Sequence, residues 1–484
     1  MKKPFIKLFR TPNANYFFDV NKHEFREIAG DSYEYLQYLM VEEISHEKIV
    51  KTPLELEELQ AAGYLAHESV VQTIRHPYSD YVAILLERKL SMMTLQLTQD
   101  CNLRCKYCIY AESETSRQRT HTRKKMSWEM AKKAIDFLWN HSVDSPKINI
   151  GFYGGEPLLE FSLLQKIVEY CRKRFSGKTL TFSITTNGTL LDDEIIYYLA
   201  EHEMQVMISL DGPKEVQDKN RVFVDGTGTF DVIVANIRKI KKIAPNLVEN
   251  LQAGMVLNPE NDFDCVNSIC LEGADLDELM ISASLVEYDY DDKIIPYSED
   301  YATKVEYQQF MAILAHYNRM SKSNVSPISN SFAYSLWDKH KKFPLISGLN
   351  VIDAPSGPCI SGQLRLFVNA YGQFFPCERV SETSPVMCIG NLEKGFDLEN
   401  IQRHLNIGNL TEEACKECWC FRHCELCVKK ADDSSPKLSV ERKLSFCEEV
   451  EASVRDIMKH HLLFYEIPLY YQEQTRTIAE VRGR

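Results

Sequence analysis

The sequence predicts an α/β protein: a partial (β/α)6 barrel preceded by a small strand-and-helix unit and followed by a Cys-rich extension. Three observations carry that prediction. From residue 92 onward, apolar strand-like runs alternate with amphipathic helical stretches, the pattern of parallel βα units. Before them, PFIKLFR, NYFFDV and EFREIAG are short alternating runs separated by the turn residues of PNAN and NKH. After them, nine of the 15 cysteines crowd between Cys359 and Cys447.

In the first unit, residues 1–80, three strands lead into helices. DSYEYLQYLMVEE places Leu36, Leu39 and Met40 on one helical face, and TPLELEELQAAGYL opens with helix-entry signals. Thr52 is expected to cap, Pro53 to take the first turn, Glu55 to complete a capping box and Gly63 to end the helix. Strands followed by helices suggest a winged-helix-like unit. The barrel, residues 85–322, is read from six strands: MTLQLT, KINIGFYGG, TLTFSITTNG, MQVMISLDG, LQAGMVLNP and LDELMISASLV. A closing helix is expected over 303–320 and a polar linker from SKSNVSPISNS, leading into a bridging segment 323–354. Residues 355–450 have little room for an apolar core, so metal is expected to supply part of their stability. The tail, 451–484, reads as a helix packing back on the body.

The chain has 484 residues, 44% of them hydrophobic, with 56 Lys+Arg against 69 Asp+Glu and a formal charge of -13. That balance argues against nucleic acid as the main partner. No run of about 18 apolar residues occurs, so no membrane span is expected, and the N-terminus lacks a signal-peptide core. A cytoplasmic protein is the expectation. A reducing cytoplasm does not favour disulfides, so 15 cysteines point to metal chemistry. Cys171 lies on the Leu164, Ile167, Val168 face and reads as a buried apolar residue.

Every chemistry-bearing stretch falls at a strand C-terminal end, where βα barrels place their sites. CNLRCKYC spaces Cys101, Cys105 and Cys108 as C-x3-C-x2-C. Four thiolates fill an iron–sulfur cube, whereas three leave one iron open to a small ligand. By itself the spacing also suits half of a zinc site. GGEP (154–157), TTNG (185–188), ISLDGP (208–213) and NR (220–221) follow at later strand ends. In the extension, CKECWCFRHCELC supplies C-x2-C-x5-C-x2-C with Cys420 skipped, flanked by Cys359, Cys377 and Cys447. Two of its CxxC pairs alone would make a zinc knuckle.

Taken together, C-x3-C-x-aromatic-C after a first barrel strand, with GGEP after the second, resembles the radical SAM superfamily. The resemblance implies a [4Fe–4S] cluster on Cys101, Cys105 and Cys108 whose open iron chelates S-adenosylmethionine (SAM). It implies SAM contacts from Tyr107, Gly154, Gly155, Glu156, Ser209, Arg221 and Leu285, with Glu156 on the ammonium, Ser209 on the ribose and Arg221 on the carboxylate. The Cys-rich segment resembles the SPASM extension of peptide-modifying members. Its last spacing is x2 where the commoner form has x3. Carried over residue by residue, Cys415, Cys418, Cys424 and Cys447 hold auxiliary cluster II, and Cys359, Cys377 and Cys427 hold auxiliary cluster I, for three [4Fe–4S] clusters in all. Cys388 and Cys420 are candidates for a fourth ligand of auxiliary I. An open iron is the preferred expectation there, because Cys420 is crowded between Trp419 and Phe421.

The N-terminal unit resembles the RiPP recognition element, which captures a precursor's leader peptide along a strand edge; here that edge is near Glu24 to Ile28. Across nearly the whole chain, YFFDVN, KLSMMTLQLTQDCNLRCKYC, IGFYGGEPLLEF and CKECWCFRHC resemble the Cys-rich-peptide maturases that form ranthipeptide and sactipeptide thioethers. The implied reaction uses a 5′-deoxyadenosyl radical to take a hydrogen from an acceptor carbon and joins that carbon to a cysteine sulfur. The implied partners are a ribosomal precursor peptide with a leader and a Cys-rich core, and an electron donor such as flavodoxin or ferredoxin. No residue is assigned as a catalytic base. Other radical outcomes share these motifs: formylglycine formation in sulfatases, epimerisation and carbon–carbon crosslinking. A non-enzymatic metal-stabilised peptide scaffold is the remaining alternative.

Overall fold

The computed structural model describes residues 2–41, 51–110, 121–270, 276, 279–287, 290 and 298–482. Strands β1 (Ile6–Arg10), β2 (Asn15–Asp19) and β3 (Glu24–Ile28) form an antiparallel sheet in that order. Strand alternation gives it two apolar faces. Ile6, Phe17 and Ile28 pack on Leu36 and Leu39 of α1 (Gly30–Val41) and Leu56 of α2 (Leu54–Ala61). Phe9, Tyr16 and Phe18, on the other face, join Trp419, Phe421, Val454 and Met458 from the far end of the chain.

Helix α2 starts differently from its predicted capping box. Pro53 is the N-cap and makes no side-chain cap bond. Thr52 Oγ1 pairs instead with Tyr35 OH at 3.0 Å, and the Glu55 carboxylate accepts from Ala29 N and Ser32 Oγ. The unmet donors at the start of α1 are tertiary competitors that the local signal could not register. Gly63 does follow the helix end, at φ +83°, a conformation that favours glycine.

After β4 (Thr73–Ile74) and α3 (Val82–Arg88), six parallel strands lie side by side in chain order: β5 (Met92–Thr98), β6 (Lys147–Gly154), β7 (Thr179–Thr186), β8 (Gln205–Ser209), β9 (Leu251–Leu257) and β10 (Met280–Leu285). Residues 277 and 278 of the sixth predicted strand lie outside the described residues. The connections carry α4 (Trp128–Asn140), α5 (Phe161–Arg174), α6 (Asp193–Glu201), α7 (Lys214–Asn220), α8 (Phe230–Ile243) and α9 (Phe263–Ser268). Ser127, Asp192 and Asp262 cap three of these by accepting backbone N–H groups of Met130, Ile195 and Cys265. Leu95, Leu97, Ile150, Phe152 and Val206 are fully buried between sheet and helices, and each such side chain stabilises by about 2 kcal/mol. Cys171 sits in this core.

Two expectations beyond the barrel need correction. The closing helix α10 spans Glu299–His316, but the segment read as a polar linker contains another helix, α11 (Pro327–Lys342). Ser326 caps it by accepting from Ser329 N and Pro327 takes its first turn, a Ser-Pro start that polar composition had concealed. The Cys-rich segment also does not stand apart. After β11 (Ile352–Asp353), β12 (Leu366–Val368) pairs in parallel with β5, and β13 (Gln373–Phe375), β14 (Gly390–Asn391) and β15 (Gly395–Phe396) continue antiparallel, making a ten-stranded sheet. This covers the edge that β5 would otherwise expose. Short helices α12 (Leu398–Leu405), α13 (Glu412–Lys416) and α14 (Val440–Ser445) lead to α15, which spans Cys447–Arg482 and buries Val454, Met458 and Leu462. Among the described residues no helix is long and apolar enough to cross a membrane.

Candidate functional site at the barrel mouth

The C-terminal ends of the parallel strands converge on a cavity of about 280 Å³. Cys101, Cys105, Cys108, Tyr107, Gly154, Gly155, Ser209, Arg221 and Leu285 line it, together with Thr185, Thr186 and Asn187. Residues far apart in sequence are gathered because parallel strands in chain order deliver their following loops to one rim.

Glu156 is the one predicted contact in this set that stands behind the wall. Its carboxylate is fully buried and accepts from Leu158 N at 3.0 Å, Thr186 Oγ1 at 2.8 Å and Asn187 N at 2.7 Å. Burial pushes its carboxyl up to about 7, against the pull of those three donors. Here it ties the second strand's loop to the third. The neighbouring glycines have a steric cause of their own: a Cβ on Gly154 would lie 2.1 Å from the Thr98 carbonyl oxygen, and one on Gly155 2.0 Å from that of Asp100. Gly155 N and Glu156 N donate to those same carbonyls at 2.8 and 2.9 Å. The close approach is thus to the cysteine loop's own backbone.

Sequence reasoning missed Asp211, although it lies inside the quoted ISLDGP. Its side chain has no solvent exposure; Oδ1 accepts from Val256 N at 3.0 Å and Oδ2 from Arg221 Nε at 3.0 Å and from Tyr107 OH. The Arg221 guanidinium also lies 5.2 Å from the Tyr107 ring centroid and bonds to the Cys105 thiol. Burial works against the Arg221 charge, but Asp211, Tyr107 and Cys105 outweigh it and hold the group well above its ordinary value. One buried carboxylate therefore orients both predicted SAM contacts. A carboxylate two residues past Ser209 at a strand end was the available signal.

Whether these thiols suit a cluster can be judged from their surroundings. Burial pushes Cys101 up to about 12, with added repulsion from Glu156, Cys105 and Cys108, and Cys105 up to about 11. Such thiols need a cation to become thiolates. Their sulfurs are already presented as acceptors: Leu103 N donates to Cys101 Sγ at 3.3 Å and Tyr110 N to Cys108 Sγ at 3.4 Å. The same bond from the residue two further on recurs at Cys377, Cys418 and Cys424. N–H donors aimed at sulfur are what an iron–sulfur centre takes from its protein, so the residues fit.

The remaining predicted ligands form two groups. Cys359 and Cys377 are raised by burial, Cys377 to about 11, and both interact electrostatically with Cys427. Glu378, Arg379 and Lys429, beside Cys377 and Cys427, line the barrel-mouth cavity, so it runs toward this group. Cys415, Cys418, Cys424 and Cys447 interact electrostatically as the second group. Cys420 is fully buried and hydrogen-bonds to Cys418, which it lowers. That places Cys420 beside the second group, while the Cys388 thiol faces the Gly390 carbonyl at 3.5 Å.

Residues 95–269 match the Radical SAM superfamily. An uncharacterized protein of Methanocaldococcus jannaschii is 40% identical over 142 residues, which are 29% of this chain and 46% of the relative. The serine-type anaerobic sulfatase-maturating enzyme of Bacteroides thetaiotaomicron is 35% identical over 143 residues, 29% of this chain and 34% of that enzyme. The chain thus spans less than half the length of either relative. The solved structure of native anSMEcpe with bound AdoMet shares the fold at a TM-score of 0.56 and 21% identity, over 77% of this chain and 99% of that one.

Proposed function

We propose, from the premise that residues 95–269 are a radical SAM domain, that this chain modifies a ribosomally made peptide, joining a cysteine sulfur to a carbon of an acceptor residue. The carrying observation is the second and third cysteine groups, one of them flanked by residues of the barrel-mouth cavity. In this reading Cys101, Cys105 and Cys108 hold the SAM-binding cluster. Cys359, Cys377 and Cys427 hold auxiliary I, and Cys415, Cys418, Cys424 and Cys447 hold auxiliary II. When bound, the barrel cluster and SAM supply one-electron chemistry that removes a hydrogen atom from an unactivated carbon. The chain's own residues aim and shield it. Gly154 and Gly155 offer backbone to the SAM amino group, Arg221 meets its carboxylate while held by Asp211, and Ser209, Tyr107 and Leu285 flank the nucleoside. Forming the thioether would break one C–H and one S–H bond and release one hydrogen atom, one proton and one electron; the hydrogen atom would leave on deoxyadenosine and the proton in solvent, and the cysteines of an auxiliary group would hold the acceptor of the electron.

The N-terminal unit would bring the peptide. β3 is an edge strand with Glu24, Arg26 and Glu27 exposed, and a cavity of about 570 Å³ between α1 and α2 is lined by Asp31, Glu34, Tyr35, Tyr38, Thr52 and Glu57. A leader strand added to β3 would raise the local concentration of the core peptide. The free thiols suit a reducing cytoplasm and a flavodoxin- or ferredoxin-type donor. A second reading is formylglycine formation, favoured by the relatives named as sulfatase-maturating enzymes. Mass spectrometry of a co-expressed Cys-rich peptide tests the choice. Loss of one hydrogen pair per bridge, with carbon–sulfur linkage on fragmentation, is expected. An unaltered peptide alongside formylglycine in a co-expressed sulfatase would select the second reading.

A further inference from the structure

Lys443 lies in α14 and is only 3% exposed. Its ammonium donates to Thr411 Oγ1 and to Cys415 Sγ, the latter at 3.3 Å, and Thr411 Oγ1 meets the same sulfur at 3.3 Å. Among the described residues no carboxylate lies within ion-pair distance of the ammonium. Glu451, the nearby acid, accepts instead from Trp419 Nε1 at 2.9 Å.

A buried ammonium is costly unless a negative group compensates it. The groups that this one touches are the Thr411 hydroxyl and the Cys415 sulfur, so its counter-charge comes from the centre that Cys415 helps to hold. A packing role alone would be served by an apolar side chain of equal length, without that cost.

We propose that Lys443 is a positioning residue for auxiliary cluster II: it serves as the buried counter-cation of the centre held by Cys415, Cys418, Cys424 and Cys447 and raises its reduction potential. The proposal rests on the reading of those four cysteines as ligands. A fixed positive charge stabilises the reduced centre, which carries one more negative charge, more than the oxidised one. A raised potential suits an acceptor of the reaction's surplus electron.

The test uses the full chain, purified anaerobically, with Cys101, Cys105 and Cys108 replaced by alanine so that the barrel centre contributes no signal. Iron per chain and EPR-monitored potentials are read for Lys443→Met and Lys443→Arg in that background. Unchanged iron, a potential shifted to more negative values in Lys443→Met and a near-original one in Lys443→Arg are expected. If Lys443→Met sheds the iron, retention in Lys443→Arg supports the counter-cation role, and equal loss in both overturns it. Full iron with an unmoved potential in Lys443→Met overturns the proposal alone. Iron content that does not fall when Cys415, Cys418, Cys424 and Cys447 become serine overturns the ligand reading, and the proposal with it.

Discussion

The barrel mouth and the four-cysteine region meet the same chemical demand with different scaffolds. At the mouth, Cys101, Cys105 and Cys108 follow a seven-residue strand whose neighbours on both sides are hydrogen-bonded, above a continuous apolar core. In the C-terminal region, Cys415 sits on the five-residue α13, Cys424 just past a three-residue 3-10 turn, and Cys447 at the start of α15. Apolar packing there is shared with the distant N-terminal sheet. The difference teaches that the first site is built as geometry by the strands beneath it, whereas the second, on the proposal that it holds a cluster, would depend on metal for part of its shape.

The strongest test of that contrast is to replace Cys101, Cys105 and Cys108 by alanine. SAM cleavage should fall to background while thermal unfolding stays close to that of the unaltered chain; a collapse of the fold would erase the distinction. Stripping all iron with a chelator should act unevenly. Amide hydrogen exchange in residues 415–447 should rise at least about tenfold, or about 1.4 kcal/mol in local opening, while β5–β9 change little. Equal loosening of both regions would break the comparison.

Smaller changes sharpen it. Asp211→Asn leaves the shape of the mouth but removes the charge that orients Arg221 and Tyr107, so affinity for SAM should drop by about 10–100-fold by isothermal titration, with iron content retained. An unchanged affinity would show that Arg221 is held by other groups. Glu156 gives a pH signature confined to the barrel. Its folded carboxyl stands at about 7 against an ordinary 4.5. The folded state therefore binds more protons across that window, so the group's contribution is fully present below about 4.5 and lost as pH rises through about 7. In urea denaturation, the stability of the unaltered chain relative to Glu156→Gln should decline by up to about 3 kcal/mol over that range. A flat difference would mean that the three donors cancel the cost of burial.

Much of this site was legible because its signals are local. Cysteine spacing, glycine pairs and strand-end placement survive in one dimension, and strands buried on both faces read as continuous apolar runs. Glu156 was read through the resemblance as a SAM contact and not as a buried brace, since two of its donors come from the end of the next strand and its loop. Asp211 stood in plain view, yet its task depends on Arg221 and Val256, which only pairing of adjacent strands brings to it. Lys443 left no trace at all: in VERKLS it looks like any charge on a short amphipathic helix.

The order of chain segments along the barrel and the three thiols of the first loop were set by periodicity and spacing, which are properties of neighbouring residues; the division of the extension's cysteines into two groups came from the family resemblance. The addition of β12 to β5, the sharing of Phe9, Tyr16 and Phe18 with α15, and the burial of a lone ammonium against Cys415 were decided by tertiary structure. Each of those joins segments hundreds or tens of residues apart. The energy of such contacts comes from water excluded between surfaces that meet only after folding, and no local pattern encodes which surface will be opposite.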